Sequence, residues 1–597
     1  MPLTHRVSRQ LGFLSVSTAL ALLAAAGTGR AEMPADERVI VVSYGDHFVV
    51  FEGDAKLDTP EKIERSMRQW RDVHDATTVY WRTGAWFIRN RCTRVPASIS
   101  KYWTTADDVF ARFDPYETAC QSAHELGLAI YGYATIFDEG SPPEILYGGN
   151  TPFPWQSHFT IEHPEYLVVD REGKKRQYGV MEYAYPEVRR YKLRELTDFL
   201  DAYDYDGVYL CTRSHSRPAD RADQFGFGEP VVRAYRERYG TDVRTEDFDV
   251  EAWRALRGEF LTQFLREVRR ELDRRGKKLA VGVPQGDVLG PPYGNVKLDW
   301  QTWVREKLLD RLVIGIYSGD WHYPAMRGKD RERGYLASGH ERWGLPPVDE
   351  ALEKTYGPLA KQHGVAVQYA LLNAAGVAGT RSYGVVKDTP ELAFPGGRFS
   401  VEAWIKIAGP QDYGRLVSRY DHTLPDNSGR GWEIYVEETG EVFFRINDGD
   451  REYAVKTERR LPVDEWAHLV CVSEGEGGRM KVYVDGTLDD ATTGAPATVR
   501  RVPVRLFVGR YPTGGRPLEG WLAELRISRG VRRPQGVPRS PLEADGETLV
   551  LWQPTRGVDL VADQGSSKAD LQLLNVKTWE SGPLVGLAAV RLGERPK

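Results

Sequence analysis

The feature that most constrains this chain is a change of hydrophobic rhythm near residue 380. Before it, short apolar runs alternate with stretches of helical periodicity. After it, apolar and polar residues alternate along short segments bounded by turn residues. One chain of 597 residues therefore has to build two kinds of sheet.

The apolar runs of the first part are Arg38–Tyr44, Thr77–Trp81, Leu128–Ala134, Gly207–Thr212, Leu279–Pro284, Leu312–Tyr317 and Val365–Leu371. Continuous apolar runs suit parallel strands covered on both faces. Helical patterns lie between them. Thr59-Pro60-Glu61 opens one, with Thr as N-cap and Pro at the first helical position. Pro186 opens another, with Val188, Tyr191, Leu196, Phe199 and Tyr203 on one face, and a third spans 251–275. Strand and helix in alternation predict a parallel sheet with right-handed crossovers. Seven such units over this length predict a (β/α)8-type TIM barrel whose eighth strand is irregular or absent. The connections after strands three and six are long, and those from helix to strand are short. In a barrel the loops after strands build the active face.

The second part predicts an antiparallel β-sandwich. Phe399–Ile407 alternates, Glu438-Thr439-Gly440 and Asp485-Gly486 mark hairpin turns, and further short strands follow to Thr548–Trp552. The expected organisation is a signal peptide at 1–31, the barrel at 35–378 and the sandwich at 380–580.

The signal peptide is read from His5, Arg6 and Arg9, the apolar stretch from Leu11 to Ala26, and the small residues after it, with cleavage after Ala26 or Ala31. The apolar run is short for a membrane span, so the expectation is a periplasmic or extracellular protein with no membrane association after cleavage. An uncleaved anchor is the alternative. Net charge is −5, so no basic field exists to attract nucleic acid. The four cysteines fit no CxxC or Cys/His metal spacing. Cys211 and Cys471 sit in strand-like runs and read as core thiols, which leaves Cys92 and Cys120 as the plausible disulfide partners. No cofactor is expected, although a calcium ion in the sandwich is left open.

Two resemblances follow from particular stretches. FSVEAWIKI, EWAHLVCV, KVYVDGTLDD, LFVGR and GWLAELRIS, in this order, resemble the laminin-G-like, concanavalin A-like jelly rolls. HPEYLVVDREGKK, AYPEVRRYKLRELTDFLDAYDYDGVYL, FGFGEPVVRAYRERYG and VIGIYS resemble the bacterial glycosyl-hydrolase-like, family-10-like barrels. The first resemblance implies a sandwich that binds sugars, proteins or calcium, or merely packs. The second implies a barrel acting on glycans. Related barrels often carry Asp-Gly-x-x-x-Asp along strand four, but here Asp206-Gly207 runs into Cys211, and Arg213 stands near the strand end. A catalytic carboxylate pair must then come from elsewhere.

Glycoside hydrolysis needs two carboxyl groups flanking one bond. The pool after the strands is Asp46, Asp138, Glu139, Glu182, Glu229, Asp287 and Asp320. The expected catalytic residues are Glu182, Glu229, Asp138 and Asp287. Glu182 lies between Met181 and Tyr183, an apolar setting that would raise its pKa as an acid requires; the alternative is a buried pair with an arginine. Glu229 precedes Pro230 at a helix start, where it could serve only the helix dipole. Asp138 and Glu139 precede Gly140, a turn position, and Asp287 could be a plain loop residue. Arg213, His215, Trp155 and His158 are expected to bind substrate, with salt bridging and loop packing as the alternatives. The leading expectation is a secreted glycoside hydrolase with a polysaccharide substrate and an accessory glycan-binding sandwich. The alternative is a non-catalytic glycan-binding or adhesion protein with a lapsed barrel.

Overall fold

The structure is a computed structural model, and it describes residues 38–45, 47, 56–94, 102–140, 146–147, 151–152, 156–212, 224–289, 296–314, 348–368, 372–373, 381–386, 390–394, 396–421, 430–448, 451–500, 502, 504–512 and 515–594. Segment 1–31, read as a signal peptide, lies outside the described residues, as do Asp46, Trp155, Arg213, His215 and Asp320.

The first part forms one parallel sheet. Its strands are β1 (Val39–Val42), β2 (Thr78–Arg82), β3 (Ala129–Thr135), β4 (Gly207–Cys211), β5 (Lys278–Val283), β6 (Arg311–Ile314), β7 (Ala366–Gln368) and β8 (Leu372–Asn373), paired in the order β7-β6-β5-β4-β3-β2-β1-β8. All these pairs are parallel, with registers such as Ile40↔Val79 and Val79↔Ile130. All seven apolar runs of the sequence supply strands of this sheet. The pairing path begins on β7 and ends on β8, which only residues 369–371 separate.

Both faces of the sheet are buried, which explains the continuous apolar runs. One face packs Tyr80, Tyr131, Tyr133, Tyr209, Cys211, Ala280 and Val313 together. The rings of Tyr80 and Tyr209 stack at 4.4 Å. The other face meets the helices through Ile40, Val79, Ile130, Leu210 and Val281. Helix α1 (Pro60–His74) begins where the sequence predicts, with the Thr59 side chain accepting from the Lys62 N–H. Such a cap stabilises a helix by about 1 kcal/mol. Its buried stripe is Ile63, Met67 and Trp70. Helix α2 spans Pro186–Ala202, α3 spans Glu229–Tyr239 and α4 spans Val250–Arg275.

The second part is two antiparallel sheets enclosing an apolar core that includes Phe399, Ile405, Trp432, Ile434, Phe444, Leu469 and Trp552. One sheet has Arg430–Val436 and Gly414–Asp421 near its centre. The other is centred on β9 (Arg398–Ile407), flanked by β10 (Ala467–Glu474) and β11 (Gly520–Ser528). Val484 pairs with Thr487 across Asp485-Gly486, and both turn residues have positive φ, as a two-residue hairpin of this kind requires.

The two parts meet at the C-terminal end of α1. Val73 packs with Tyr383, Val385 and Phe507. The His74 ring stacks on Phe507 at 5.9 Å. Arg505 donates to the Val73 carbonyl and pairs with Asp75. Gln69 Nε2 donates to the Tyr383 hydroxyl at 3.2 Å.

One expectation is corrected. Cys92, Cys120, Cys211 and Cys471 are all described, and all four are buried thiols outside any disulfide. Cys92 packs with Phe87 and Ile88, whereas Cys120 lies on a helix with its Sγ directed at the Asp204 carbonyl. The two belong to different packing environments, so no disulfide joins them.

Candidate functional site

A cavity of about 60 Å³ opens beyond the C-terminal ends of β1, β2 and β3. Its polar lining is Tyr44, Arg82, Thr83, Tyr133, Thr135, Asp138, Lys192 and Glu195. The elements explain the convergence. Arg82 ends β2, Thr135 ends β3, and Asp138 follows three residues later. Lys192 and Glu195 reach in from α2.

Two ionic groups share the cavity. Arg82 Nη2 donates to Asp138 Oδ2 at 3.2 Å. Lys192 donates to Glu139 and, at 2.8 Å, to Glu195 Oε2. The Tyr191 hydroxyl donates to Glu139 Oε2 at 3.1 Å. Burial works against the charge of Lys192, but the carboxylates of Glu139 and Glu195 outweigh it and raise its pKa. Burial likewise raises the pKa of Glu195, and the Lys192 charge opposes this without cancelling it.

The loop bearing these acids is fixed by backbone. Glu139 N–H donates to the Gly179 carbonyl at 2.9 Å. Gly179 has φ +80°, and a Cβ there would stand 2.1 Å from the Gly140 carbonyl. Only glycine therefore lets strand Arg176–Met181 close on the Asp138-Glu139-Gly140 turn. Gly140 itself has φ 87°, in keeping with the turn read from sequence.

The other expected acids lie elsewhere. Glu182 is buried, with Arg257 of α4 at 3.6 Å. Its Oε2 has no hydrogen-bond partner. Burial raises its pKa, and Arg257 pulls against that. Both readings of its apolar setting thus hold at once: the pKa is raised, and the partner is an arginine. Arg257 in turn lies over the Trp253 ring at 4.8 Å, in a satellite cluster rather than in the cavity. Glu229 is 61% exposed as the first residue of α3 and pairs with Arg244 at 3.4 Å. Asp287 is exposed and accepts from the Trp300 indole at 2.9 Å. His158 is exposed at the start of the short helix His158–Glu162. Of the four expected acids, only Asp138 lines the cavity.

Sequence reading does not pick out Arg82, Lys192 or Glu195. A signal for two of them was present. Lys192 and Glu195 fall at the i+4 and i+7 positions from Val188, on the apolar stripe of α2, where charges must be paired.

A second polar surface lies on the outer face of the sandwich's first sheet. Glu433 is fully buried there under two arginines. Arg415 grips it through two nitrogens, at 3.2 and 3.1 Å, and Arg445 Nε donates at 2.7 Å. Arg415 lies between the Tyr435 and Tyr511 rings, 4.6 Å from each, and Arg445 lies 4.3 Å over Tyr420. Phe443 stacks on Tyr435 at 5.1 Å, and Tyr413 beside them is 42% exposed. The result is a shelf of rings and guanidinium planes. Among the described residues no group of three metal-ligating side chains occurs, and no helix is long and apolar enough to cross a membrane.

Comparison with known proteins agrees with this two-part organisation. The Glycosyl hydrolase-like 10 family matches residues 150–328, and the Concanavalin A-like lectin/glucanases superfamily matches residues 379–537. These matches mark a carbohydrate-related protein. No curated protein matches the chain. Among solved structures, a Bacteroides ovatus protein described in terms of carbohydrate binding is similar at 14% identity and a TM-score of 0.25, covering 38% of this chain and 62% of its own. The chain thus spans less than two thirds of that protein. The Ruminococcus gnavus IT-sialidase CBM40, bound to sialyllactose, is similar at 15% identity and a TM-score of 0.23, covering 26% of this chain and 88% of its own. Domain 4 of an extracellular arabinanase from Geobacillus stearothermophilus is similar at 19% identity and a TM-score of 0.18, covering 23% and 62%.

Proposed function

We propose that this is an exported glycoside hydrolase acting on a polysaccharide, with its site in the cavity beyond β1 to β3. The observation that carries the reading is that Asp138 and Glu195 line one cavity in opposite settings. Asp138 is paired with Arg82, whose positive charge is fixed, and is offered as a carboxylate base or nucleophile. Glu195 has its pKa raised by burial, as an acid catalyst requires. A carboxylate beside a fixed positive charge and one raised by burial suit base and acid roles respectively. We take β7 and β8 as two halves of one stave, so that the parallel sheet closes into a barrel of seven staves rather than eight. The sandwich adds a glycan-binding surface at the Tyr413, Tyr435 and Phe443 shelf.

A second reading has its own support. Lys192 holds both Glu139 and Glu195, so Glu195 is engaged in an ion pair rather than open to give a proton. A barrel that grips glycan without cutting it fits that arrangement.

Assay of the full chain against a polysaccharide panel for new reducing ends separates the two. Hydrolysis should occur, and Asp138→Asn and Glu195→Gln should each cut turnover by about 10²–10⁴. Binding of a polysaccharide with no new reducing ends would favour the gripping barrel. Export is checked by N-terminal sequencing of secreted protein, which should begin between Gly27 and Met33.

A further inference from the structure

The outer face of the sandwich's second sheet carries a buried polar row that the glycan-directed reading does not use. Trp404 on β9 is in register with His468 on β10 and with Glu524 on β11. The pairing of β9 with β11 shifts between Trp404 and Ile405, a bulge of the kind that re-aims a side chain. The three residues are 5%, 0% and 0% exposed. The Trp404 and His468 rings lie 5.1 Å apart.

Each of the three ends in a buried polar atom without a hydrogen-bond partner: Trp404 Nε1, His468 Nδ1 and Glu524 Oε1. Their other polar atoms are engaged. His468 Nε2 meets Glu402 Oε1 at 3.0 Å. Glu402 also accepts from Arg526 Nε at 3.0 Å. Glu524 Oε2 accepts from the Leu542 N–H at 3.0 Å and from Gln553 Nε2 at 2.8 Å. The side chains are therefore locked in place while one atom of each is open. Three open polar atoms in one cross-strand row go against the rule that buried polar groups are bonded.

The chemistry of the open atoms selects the ligand. Glu402 accepts at Nε2, so in the neutral ring Nδ1 of His468 is an acceptor. Trp404 Nε1 can only donate. Glu524 Oε1 accepts while it is ionised. The complement is one acceptor and two donors, which a single water molecule supplies. An indole N–H in the set repels a metal cation.

We propose that the His468–Trp404–Glu524 row binds an ordered internal water between the sheet and the segment 529–547 that crosses it. That segment is irregular but pinned: Ser400 Oγ donates to the Gly530 carbonyl at 2.7 Å, and Arg526 Nη1 donates to the Glu543 carbonyl at 3.0 Å. The water completes the set of hydrogen bonds that begins where Glu524 holds Leu542.

The test uses the full chain. In water-selective NMR the Trp404 indole N–H, identified as the signal lost in Trp404→Phe, should cross-relax with a long-lived water. A crystal structure fine enough to show solvent should place one oxygen within about 2.7–3.2 Å of all three atoms. An indole signal with no water contact, or three well-ordered side chains bonded to protein groups instead, would overturn the proposal.

Discussion

In the parallel-sheet part, Asp138, Glu139, Lys192 and Glu195 gather beyond the strand ends, around an opening. In the sandwich, Glu433 with Arg415 and Arg445, and Glu402 with His468 and Arg526, lie on the outer faces of the sheets. The difference follows from where each architecture leaves room. A sandwich fills the space between its sheets with interdigitated apolar side chains, so paired charges must go outside. A parallel sheet with helices on one face and tyrosines on the other has no free face, so its charges collect at the ends of the strands. Buried charge at strand ends can meet a substrate. Buried charge flat on a sheet serves mainly to hold rings and crossing segments in place.

The most severe way to break this contrast is Lys192→Met. It removes the ammonium that Glu139 and Glu195 share, and loss of one member of a buried pair costs about 3–5 kcal/mol. Urea unfolding should show this loss, and restoring the charge with Lys192→Arg should recover only part of it. Arg505→Ala acts where the two parts meet. It leaves the Val73 carbonyl without its partner, at a cost of about 1–3 kcal/mol, and should split a single thermal transition into two.

Acid should act on the same joint. Burial first, and then the charges of Arg510 and Arg505, lower the pKa of His74 to about 3. An unfolded histidine titrates near ~6.5. The unfolded chain therefore binds a proton that the folded chain refuses between those two values. The contribution of neutral His74 is complete above pH ~6.5 and is lost as pH falls toward 3, by about 1.4 kcal/mol per pH unit. His74→Phe should flatten that part of the pH–stability profile. The smallest effect is expected at Glu229→Gln, which should move stability by no more than about 0.5 kcal/mol, because the residue is exposed. A larger loss there would give the start of α3 a role that its surface pair with Arg244 does not.

Much of the architecture was legible from residue spacing. Buried parallel strands announce themselves as apolar runs, and Asp485-Gly486 specifies its hairpin through the two positive φ angles. The site was harder to read. Glu182 stands out in the sequence because its neighbours are apolar, and the same burial that raises its pKa is what Arg257 offsets. Sequence shows burial but not the partner that answers it. Lys192 and Glu195 do not stand out in the sequence, because charges on a helix read as solvated. Their place on the Val188–Phe199 stripe was the clue. Arg82 ends an apolar strand and shows its role only when β3 brings Asp138 beside it.

The joint at α1 has a consequence for any ligand long enough to touch both parts. A flexible tether lets a second binding surface search a volume, so it tolerates many ligand lengths. Here the same helix that packs on the parallel sheet through Trp70 also carries Val73 and His74 against Phe507. The joint therefore holds the two parts in contact rather than on a free tether. Under the proposed function, a polymer chain long enough to span both surfaces gains from both contacts, and a shorter chain gains from one.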